Sequence, residues 1–352
     1  MAARQSFLEN EPPVGGQLVT LAVGVAGAAL FRWLEIPGGA LSGAMGAVAL
    51  MTVPGRATPI GTPLRLAALI LSGLSFGSAV TPETLRSVAA YPLSLAMMTL
   101  SAFVMTAASS ALLMKVNGWN RATAFLASTP GGFSTSLIFA AATDANVPRI
   151  VVVQMFRVVF LMAILPVIVS QAGVHIASSR PHLDDSWLIM AIILVPGVAL
   201  GFLMDRFKIA GGMLLGVMAV SGIFHAFSIA PGRPPDVVIL ISQTLIGSWI
   251  GSRFVGFNWK TLGSMIGPAL LSVGCSLLIA TIFAFATAVM LGFPFSLALV
   301  AFAPGAFEAM TMLAFALGFD ALYVGVHHLA RFLLLNIAMP VIVQTWLMPK
   351  KP

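Results

Sequence analysis

The sequence predicts an all-α, polytopic transmembrane helical bundle made of two homologous repeats. Three observations support this fold class. First, 59% of the residues are hydrophobic and only 8% are charged, which is far more apolar than a soluble domain. Second, the apolar residues form long runs of the length that a helix needs to cross a bilayer, rather than short alternating segments. Third, scarce residue types recur at one fixed offset along the chain.

The distribution of charge and the cysteine count exclude two classes of protein. The net charge of +7 comes mostly from single Lys and Arg residues between apolar runs, where positive residues normally mark loops. No basic cluster or added soluble domain is present, so direct nucleic-acid binding is not expected. Cys275 is the only cysteine, so a framework of internal disulfides is excluded.

A shift of 174 residues aligns scarce residues of the two halves without gaps, and this offset holds along most of both halves. Prolines, glycines and arginines are scarcer in membrane chains than Ala and Leu, so their matches are harder to obtain by accident. We therefore predict a first membrane repeat at 17–172, a connector at 173–186 and a second repeat at 187–347. The aligned pairs include Gly27 with Gly201, Arg32 with Arg206, Gly73 with Gly247, Gly77 with Gly251, Pro130 with Pro304, Gly131 with Gly305, Arg157 with Arg331, and Pro166 with Pro340.

Each half contains six apolar segments, which gives about 10–12 membrane segments in total. The segment at 39–53 carries Gly39, Gly43 and Gly46 at spacings typical of close helix packing, and we interpret it as re-entrant. The segments are 17–33, 39–53, 63–80, 91–114, 121–143 and 148–172, followed by 187–204, 211–228, 237–255, 261–290, 294–317 and 321–347.

The number of true crossings in each half decides how the repeats are related. An even number gives parallel repeats, and an odd number gives inverted repeats, which are common in secondary transporters. If all twelve segments crossed, the loop Lys and Arg residues would divide nine against seven, and such an even split argues against that count. We favour five crossings and one re-entrant or interfacial piece per half, with the repeats inverted.

The fifth segment of each half contains a helix breaker near its middle, in "STPGGFSTS" at 128–136 and "FAPGAFEAM" at 302–310. Proline removes a backbone donor and glycine loosens the turn, and bilayers tolerate the freed groups only inside protein or beside a water-filled cavity. A second half-helix would begin near Phe133 or Phe307, where unpaired N–H groups attract anions. The breaks themselves are predicted to line a site with Pro130, Gly131, Gly132, Pro304 and Gly305.

Side chains in the first turn after each break are further candidates for this site. Glu308 places a carboxylate there in the second half, and Ser134 occupies the matching position in the first half, beside Thr135. Hydroxyl groups at a helix start can cap the helix or contact a ligand. Glu308 is a candidate proton carrier.

The sixth segment of each half supplies a cation at a matched position, Arg157 and Arg331. A charged residue this deep in an apolar run costs at least ~2.5 to 3.5 kcal/mol, so we expect it to face a partner or a cavity. Gln154 and His328 lie one turn earlier on the same side of their helices. His328 could assist Glu308 in carrying a proton.

A structural interpretation competes with this functional one. The Pro-Gly pairs could be simple kinks, Arg331 could only neutralise Glu308, and His327 could be a histidine with satisfied hydrogen bonds in the bundle interior. Asp144 and Asp320 lie at segment junctions and are interpreted as caps or interface charges. The occurrence of a break plus an arginine in both halves favours function, because transporters place broken helices at corresponding positions.

Residues 128–169 and 303–343, which carry the PGG and PGA breaks and the Q/H-x-x-R motifs, resemble the AbrB-type duplicated bacterial membrane protein family. The resemblance extends from the "LEIPGGALSGAMGAVAL" element at 34–50 to the last helix. Members are also labelled as ammonia monooxygenases or as regulators of gene expression. The family is similar to the cation/proton antiporter and anion transporter superfamily, which implies inverted repeats with crossing discontinuous helices.

The sequence favours a secondary transporter of a small anion or weak acid, multi-pass in the bacterial inner membrane and coupled to protons. We expect no enzyme activity, metal or cofactor, since no His, Cys, Asp or Glu set has metal-ligand spacing. A homo-oligomer is compatible with this prediction. Two alternatives stay open: a cation/proton exchanger that uses Glu308, and a membrane sensor that affects gene expression indirectly.

Overall fold

The computed structural model describes residues 11–36, 38–52, 55–56, 58–80, 82, 91–131, 133–171, 187–207, 211–227, 229, 234–255 and 259–347. These residues form fourteen α-helices and no strand. The helices are α1 (Val14–Trp33), α2 (Gly39–Thr52), α3 (Thr62–Ser78), α4 (Tyr91–Asn117), α5 (Arg121–Ser128), α6 (Phe133–Ala141), α7 (Val147–Gln171), α8 (Trp187–Arg206), α9 (Gly212–Ala226), α10 (Asp236–Gly251), α11 (Trp259–Leu291), α12 (Phe295–Phe302), α13 (Phe307–Ala316) and α14 (Ala321–Ile342).

Seven candidate membrane spans occur within the described ranges, which indicates a multi-pass membrane protein and confirms the all-α prediction. The predicted connector at 173–186 lies outside the described residues. The exact number of crossings stays a prediction. The seven spans are Val14–Trp33, Tyr91–Asn117, Val147–Val169, Ile189–Arg206, Asp236–Phe254, Leu262–Leu291 and Ala321–Leu347.

The contacts divide the chain into two compact units. The first unit comprises residues 1–85, 176–259 and 315–318, and therefore holds α1–α3 and α8–α10. The second unit comprises residues 86–175, 260–314 and 319–352, and holds α4–α7, α11, α12, α14 and most of α13. Each unit thus takes its helices from both halves of the chain.

Glycines bring the helices of the first unit into close contact. A Cβ added at Gly73 in α3 would lie 2.9 Å from Cβ of Val217 in α9, and one at Gly247 in α10 would lie 2.9 Å from Cβ of Ala44 in α2. Helices from opposite halves of the chain therefore pack directly against each other. Small residues at these crossings allow the backbones to approach, as is typical of membrane helices.

The short segment predicted at 39–53 is the helix α2, whose 14 residues are fewer than a full crossing needs. Gly43 of α2 lies against the carbonyl of Gly27 in α1, and Gly216 of α9 lies against Gly201 in α8. Gly43 and Gly216 are 173 residues apart, whereas Gly27 and Gly201 are 174 apart. The helix α2 is therefore displaced by one residue from the offset of 174 that aligns most of both halves.

Gly43→Ala is expected to destabilise the first unit, because the added methyl group would collide with backbone atoms of α1. Overpacking of this kind typically costs about 1–3 kcal/mol. The midpoint of thermal unfolding in detergent measures the effect. Gly46→Ala is the matched control in the same helix, since nothing lies within 4 Å of a Cβ added there. Equal midpoints for the two variants would contradict this packing.

The second unit is built around the two interrupted helices. The half-helix α5 packs against α4 and α7, and the half-helix α12 packs against α14. Side chains such as Leu113, Leu126 and Val153 form a buried apolar cluster around α5. This packing holds the ends of the half-helices inside protein, where their unpaired backbone groups need polar partners.

Candidate functional site

Both predicted interruptions are present in the second unit. The helix α5 ends at Ser128 and α6 begins at Phe133, while α12 ends at Phe302 and α13 begins at Phe307. Gly131 has a φ of 86°, a backbone conformation that favours glycine. Of the other predicted break residues, Pro130, Pro304 and Gly305 are buried, and Gly132 lies outside the described residues.

Arg157 of α7 closes the carboxyl end of α5. Its Nη1 donates a hydrogen bond to the carbonyl of Ser128 (3.1 Å) and its Nη2 donates one to the carbonyl of Thr129 (3.1 Å). The last carbonyls of a helix have no partner within the helix and carry partial negative charge. The arginine is only 2% exposed, so these bonds replace its hydration.

Arg331 of α14 does the same for α12. Its Nη1 donates to the carbonyl of Ala303 (2.7 Å) and its Nη2 donates to the carbonyl of Gly305 (2.6 Å). The Nη2 also donates to Nδ1 of His328 (2.8 Å), and the arginine is 1% exposed. The two broken helices are therefore closed by the same device, an arginine on the following helix.

Gln154 and His328 bind the half-helices α5 and α12 at carbonyls that precede those bound by the two arginines. Gln154 Nε2 donates to the carbonyl of Leu126 (2.7 Å) and to Oγ of Ser136 (3.0 Å), and His328 Nε2 donates to the carbonyl of Val300 (3.0 Å). A carbonyl only accepts, so Nε2 of His328 carries the hydrogen and Nδ1 is the acceptor for Arg331. His328 is thus a neutral ring with both nitrogens bonded, which argues against the hypothesis that it carries a proton.

His328→Gln is expected to change stability by less than about 1 kcal/mol, because glutamine makes the equivalent carbonyl contact at Gln154. His328→Leu leaves the carbonyl of Val300 without a donor and is expected to cost roughly 1–3 kcal/mol. Thermal unfolding of both variants in detergent checks this. If the glutamine variant were as unstable as the leucine variant, the hydrogen bond to the carbonyl of Val300 would not be the way in which His328 stabilises the protein.

The two breaks come together at the arginines. A Cβ added at Gly131 would lie 3.8 Å from Nε of Arg331, so the break of the first half faces the arginine of the second half. Both Nε atoms and Oγ of Ser128 are buried without a hydrogen-bond partner in the described part of the chain. The result is a positive centre with unused donors.

Glu308 does not neutralise this centre. It lies in the first turn of α13, as predicted, and is partly buried. Within the described ranges it makes no hydrogen bond or ion pair, and neither arginine bonds to a carboxylate. The structural interpretation in which Arg331 only neutralises Glu308 is therefore wrong for this arrangement.

Of the two hydroxyl residues of α6 that were predicted to line the site, Thr135 and Ser134, the structure describes the contacts of Thr135. Thr135 donates a hydrogen bond to Oδ1 of Asn336 in α14, and Asn336 Nδ2 donates to the carbonyl of Phe332 (2.6 Å). The Thr135 hydroxyl therefore joins two helices, and the structure gives it no unused hydrogen for a ligand. The side chain of Ser134 lies outside the described part.

Sequence reasoning missed four polar residues of the second unit, Ser128, Asn336, Ser94 and Tyr323, and it named His327 only as a histidine with satisfied hydrogen bonds, which the structure shows it to be. Ser128 stands at the end of α5 in the quoted break motif, which is a usable signal. The others are single polar residues in apolar runs, and only the fold shows their partners. Among the described residues, no cluster of three His, Cys, Asp or Glu residues is suited to a metal.

A protein-family model described as "Transition state regulatory protein AbrB" matches residues 53–347. The match begins after the element at 34–50 and includes both breaks and all four residues that close them. No curated protein matches the chain.

Proposed function

The chain belongs to the AbrB family, and we propose that it is a secondary transporter of a small anion or weak acid. One observation carries the proposal: two buried arginines close the two helix breaks without a carboxylate partner among the described residues, and the first break lies beside Arg331. Buried charges are normally paired, so an uncompensated pair of cations favours a site that an anion occupies.

The hydrogen bonds of the arginines define what they offer to a ligand. Both Nη atoms of each guanidinium bond to helix-end carbonyls, which fixes its plane and leaves Nε as the nitrogen without a partner. Two Nε–H donors, one from each half, suit a small oxyanion with two acceptor oxygens. The starts of α6 and α13 follow the breaks and add partial positive charge.

The inverted arrangement of two repeats is part of this proposal. The bonds that close the breaks recur at the same offset, which supports the two repeats themselves: Arg157 and Arg331 both bond to carbonyls 28 residues earlier, and so do Gln154 and His328. Each compact unit also draws on both halves of the chain. Broken helices at corresponding positions are typical of secondary transporters, and we extend the proposal to the antiporter superfamily and to the bacterial inner membrane.

Flux into vesicles tests the proposed function. The purified protein is reconstituted into lipid vesicles, and uptake of radiolabelled acetate, nitrate, inorganic phosphate and sodium is compared with that of protein-free vesicles. We expect uptake of at least one anion and none of sodium. Arg121→Gln, which removes an exposed arginine of the same unit, is the control and should leave uptake unchanged. Sodium uptake without anion uptake would contradict the proposal.

Two other functions each have one supporting observation. A cation/proton exchanger would use the carboxylate of Glu308 as the ligand of its cation. In the described part of the chain this carboxylate has no hydrogen-bond or ion-pair partner. The description of the matching family model names a regulatory protein, which favours a membrane sensor with an indirect effect on gene expression. A sensor would bind an anion probe without moving it, so binding without flux identifies this case.

A further inference from the structure

A buried polar network lies next to the arginine site on α14. His327 is 0% exposed, and its Nε2 lies 2.7 Å from Oγ of Ser94 in α4. The same Ser94 hydroxyl is hydrogen-bonded to the hydroxyl of Tyr323, one turn earlier on α14. His327 Nδ1 bonds to the backbone carbonyl of Tyr323 (2.7 Å). Three polar side chains are thus linked in a row.

The backbone contact fixes the direction of this row. A carbonyl can only accept, so Nδ1 of His327 carries a hydrogen and Nε2 of the neutral ring is an acceptor. Ser94 therefore donates to His327, and Tyr323 donates to Ser94. Both hydroxyls can turn around, so the same bonds can form when Nε2 carries a hydrogen: His327 then donates to Ser94. The network can hold His327 in its neutral and its protonated form.

The network is not needed to close a broken helix. The residues that close the breaks occur in both halves, whereas this row occurs in one. At the predicted offset, Val153 stands in place of His327, Pro268 in place of Ser94 and Arg149 in place of Tyr323. Apolar side chains can replace a buried group of hydrogen-bonded side chains at little cost in stability. A polar network that is present in just one of the two halves therefore indicates a functional role in addition to folding.

The charged group that acts on His327 is Arg331, one turn further along α14. The other titratable groups that face it are His328 and Tyr323 on the same helix and Tyr91 of α4, whose ring centre lies 5.9 Å away. Phe302 of α12 also contacts the ring but does not titrate. Asp320, the N-terminal cap of α14 as predicted, accepts a hydrogen bond from the Tyr91 hydroxyl (3.3 Å).

We propose that His327 is the proton-binding site of this protein and that it takes up a proton when an anion occupies the site at Arg157 and Arg331. The inference rests on the proposed anion site. An anion there offsets the charge of Arg331, which otherwise opposes a second positive charge on the neighbouring ring. A proton that reaches the buried Tyr323 hydroxyl replaces the one that Tyr323 passes to Ser94, and Ser94 passes its own proton to His327 Nε2. Anion and proton then move together.

Nitrogen NMR of histidine-labelled protein in lipid bilayers, recorded with and without the probe anions of the flux assay, tests the proton site. His327→Gln assigns the signal. As the pH is lowered, we expect the His327 signal to change from the Nδ1–H ring to the doubly protonated ring, and the His328 signal to remain an Nε2–H ring. Ser94→Ala should alter the His327 titration, since the row is cut. A His327 signal that stays neutral wherever the protein is folded, or protonation of His328 first, would overturn the inference.

Proton uptake on anion binding tests the coupling. The probe anions of the flux assay are added to weakly buffered protein that contains a pH indicator dye. We expect wild-type protein and His225→Gln, which removes a histidine of the first unit, to take up about one proton per anion bound, and His327→Gln to take up none while still binding the anion. Binding by wild-type protein without proton uptake would overturn the coupling but leave the anion site standing. If no probe binds, the anion site fails, and the NMR titration still decides whether His327 is a proton site.

Discussion

Replacing Arg331 by glutamine is expected to abolish anion flux and to destabilise the second unit. The guanidinium holds the carbonyls of Ala303 and Gly305 and, through its Nε, supplies half of the proposed anion donors. Each buried carbonyl left without a donor costs about 1–3 kcal/mol, so the loss should be evident in thermal unfolding. Arg157→Gln is expected to behave alike, because it leaves the carbonyls of Ser128 and Thr129 unpaired.

Arg331→Lys separates the charge from the geometry. Lysine keeps the positive charge, but its single ammonium cannot bond both carbonyls and also present a separate N–H to a ligand. We expect this variant to insert into the membrane with reduced stability and with little flux. Arg121→Gln is again the control for a lost arginine. Anion flux at the wild-type rate in Arg331→Gln would show that the arginine only closes the helix end.

Glu308→Gln is expected to leave the protein folded, because the carboxylate has no hydrogen bond or ion pair within the described ranges. The change in stability should be less than about 1 kcal/mol. Because we propose His327 as the proton site, anion flux in this variant should persist or rise and should keep its pH dependence. Loss of the pH dependence would assign the proton to Glu308 instead. If the protein is a cation exchanger, all flux is lost, which would contradict the anion site.

A double variant shows whether Glu308 and Arg331 form a pair. Were Glu308 the counter-ion of Arg331, removing both charges would restore the stability lost in Arg331→Gln, since breaking a buried pair is worse than removing it. The structure places Arg331 on backbone carbonyls instead. Glu308→Gln combined with Arg331→Gln is therefore expected to unfold as readily as Arg331→Gln alone.

Local chemistry explains which parts of the site could be predicted from the sequence. Proline and glycine change the conformation and hydrogen bonding of the backbone at their own positions. The helix breaks after Ser128 and Phe302 could therefore be predicted from the amino-acid sequence. The depth of Arg157 and Arg331 in apolar runs showed that they need partners, and the helical period placed Gln154 and His328 beside them. These inferences needed only one helix at a time.

The identity of the partners could not be predicted, because it depends on how separate helices pack. From the sequence alone, an arginine in an apolar run could bind a carboxylate, a ligand or the carbonyls at a helix end. The structure shows that both arginines bind helix-end carbonyls. The pairing of Ser94 with His327 joins residues far apart in the chain. The one-residue displacement of α2 likewise appears only through the contact of Gly43 with Gly27.

The sign of the charge that the site attracts is the central claim, and thiol labelling measures it most directly. Cys275→Ser removes the only cysteine, and Ala306→Cys then places one at the second break, where Ala306 is partly exposed. Ala142→Cys, at an exposed residue after α6, is the control and should react with both reagents alike. At position 306 we expect a sulfonate-bearing thiol reagent to react about tenfold faster than a trimethylammonium-bearing one. Faster reaction with the cationic reagent, or no reaction with either, would contradict an anion site that water can reach.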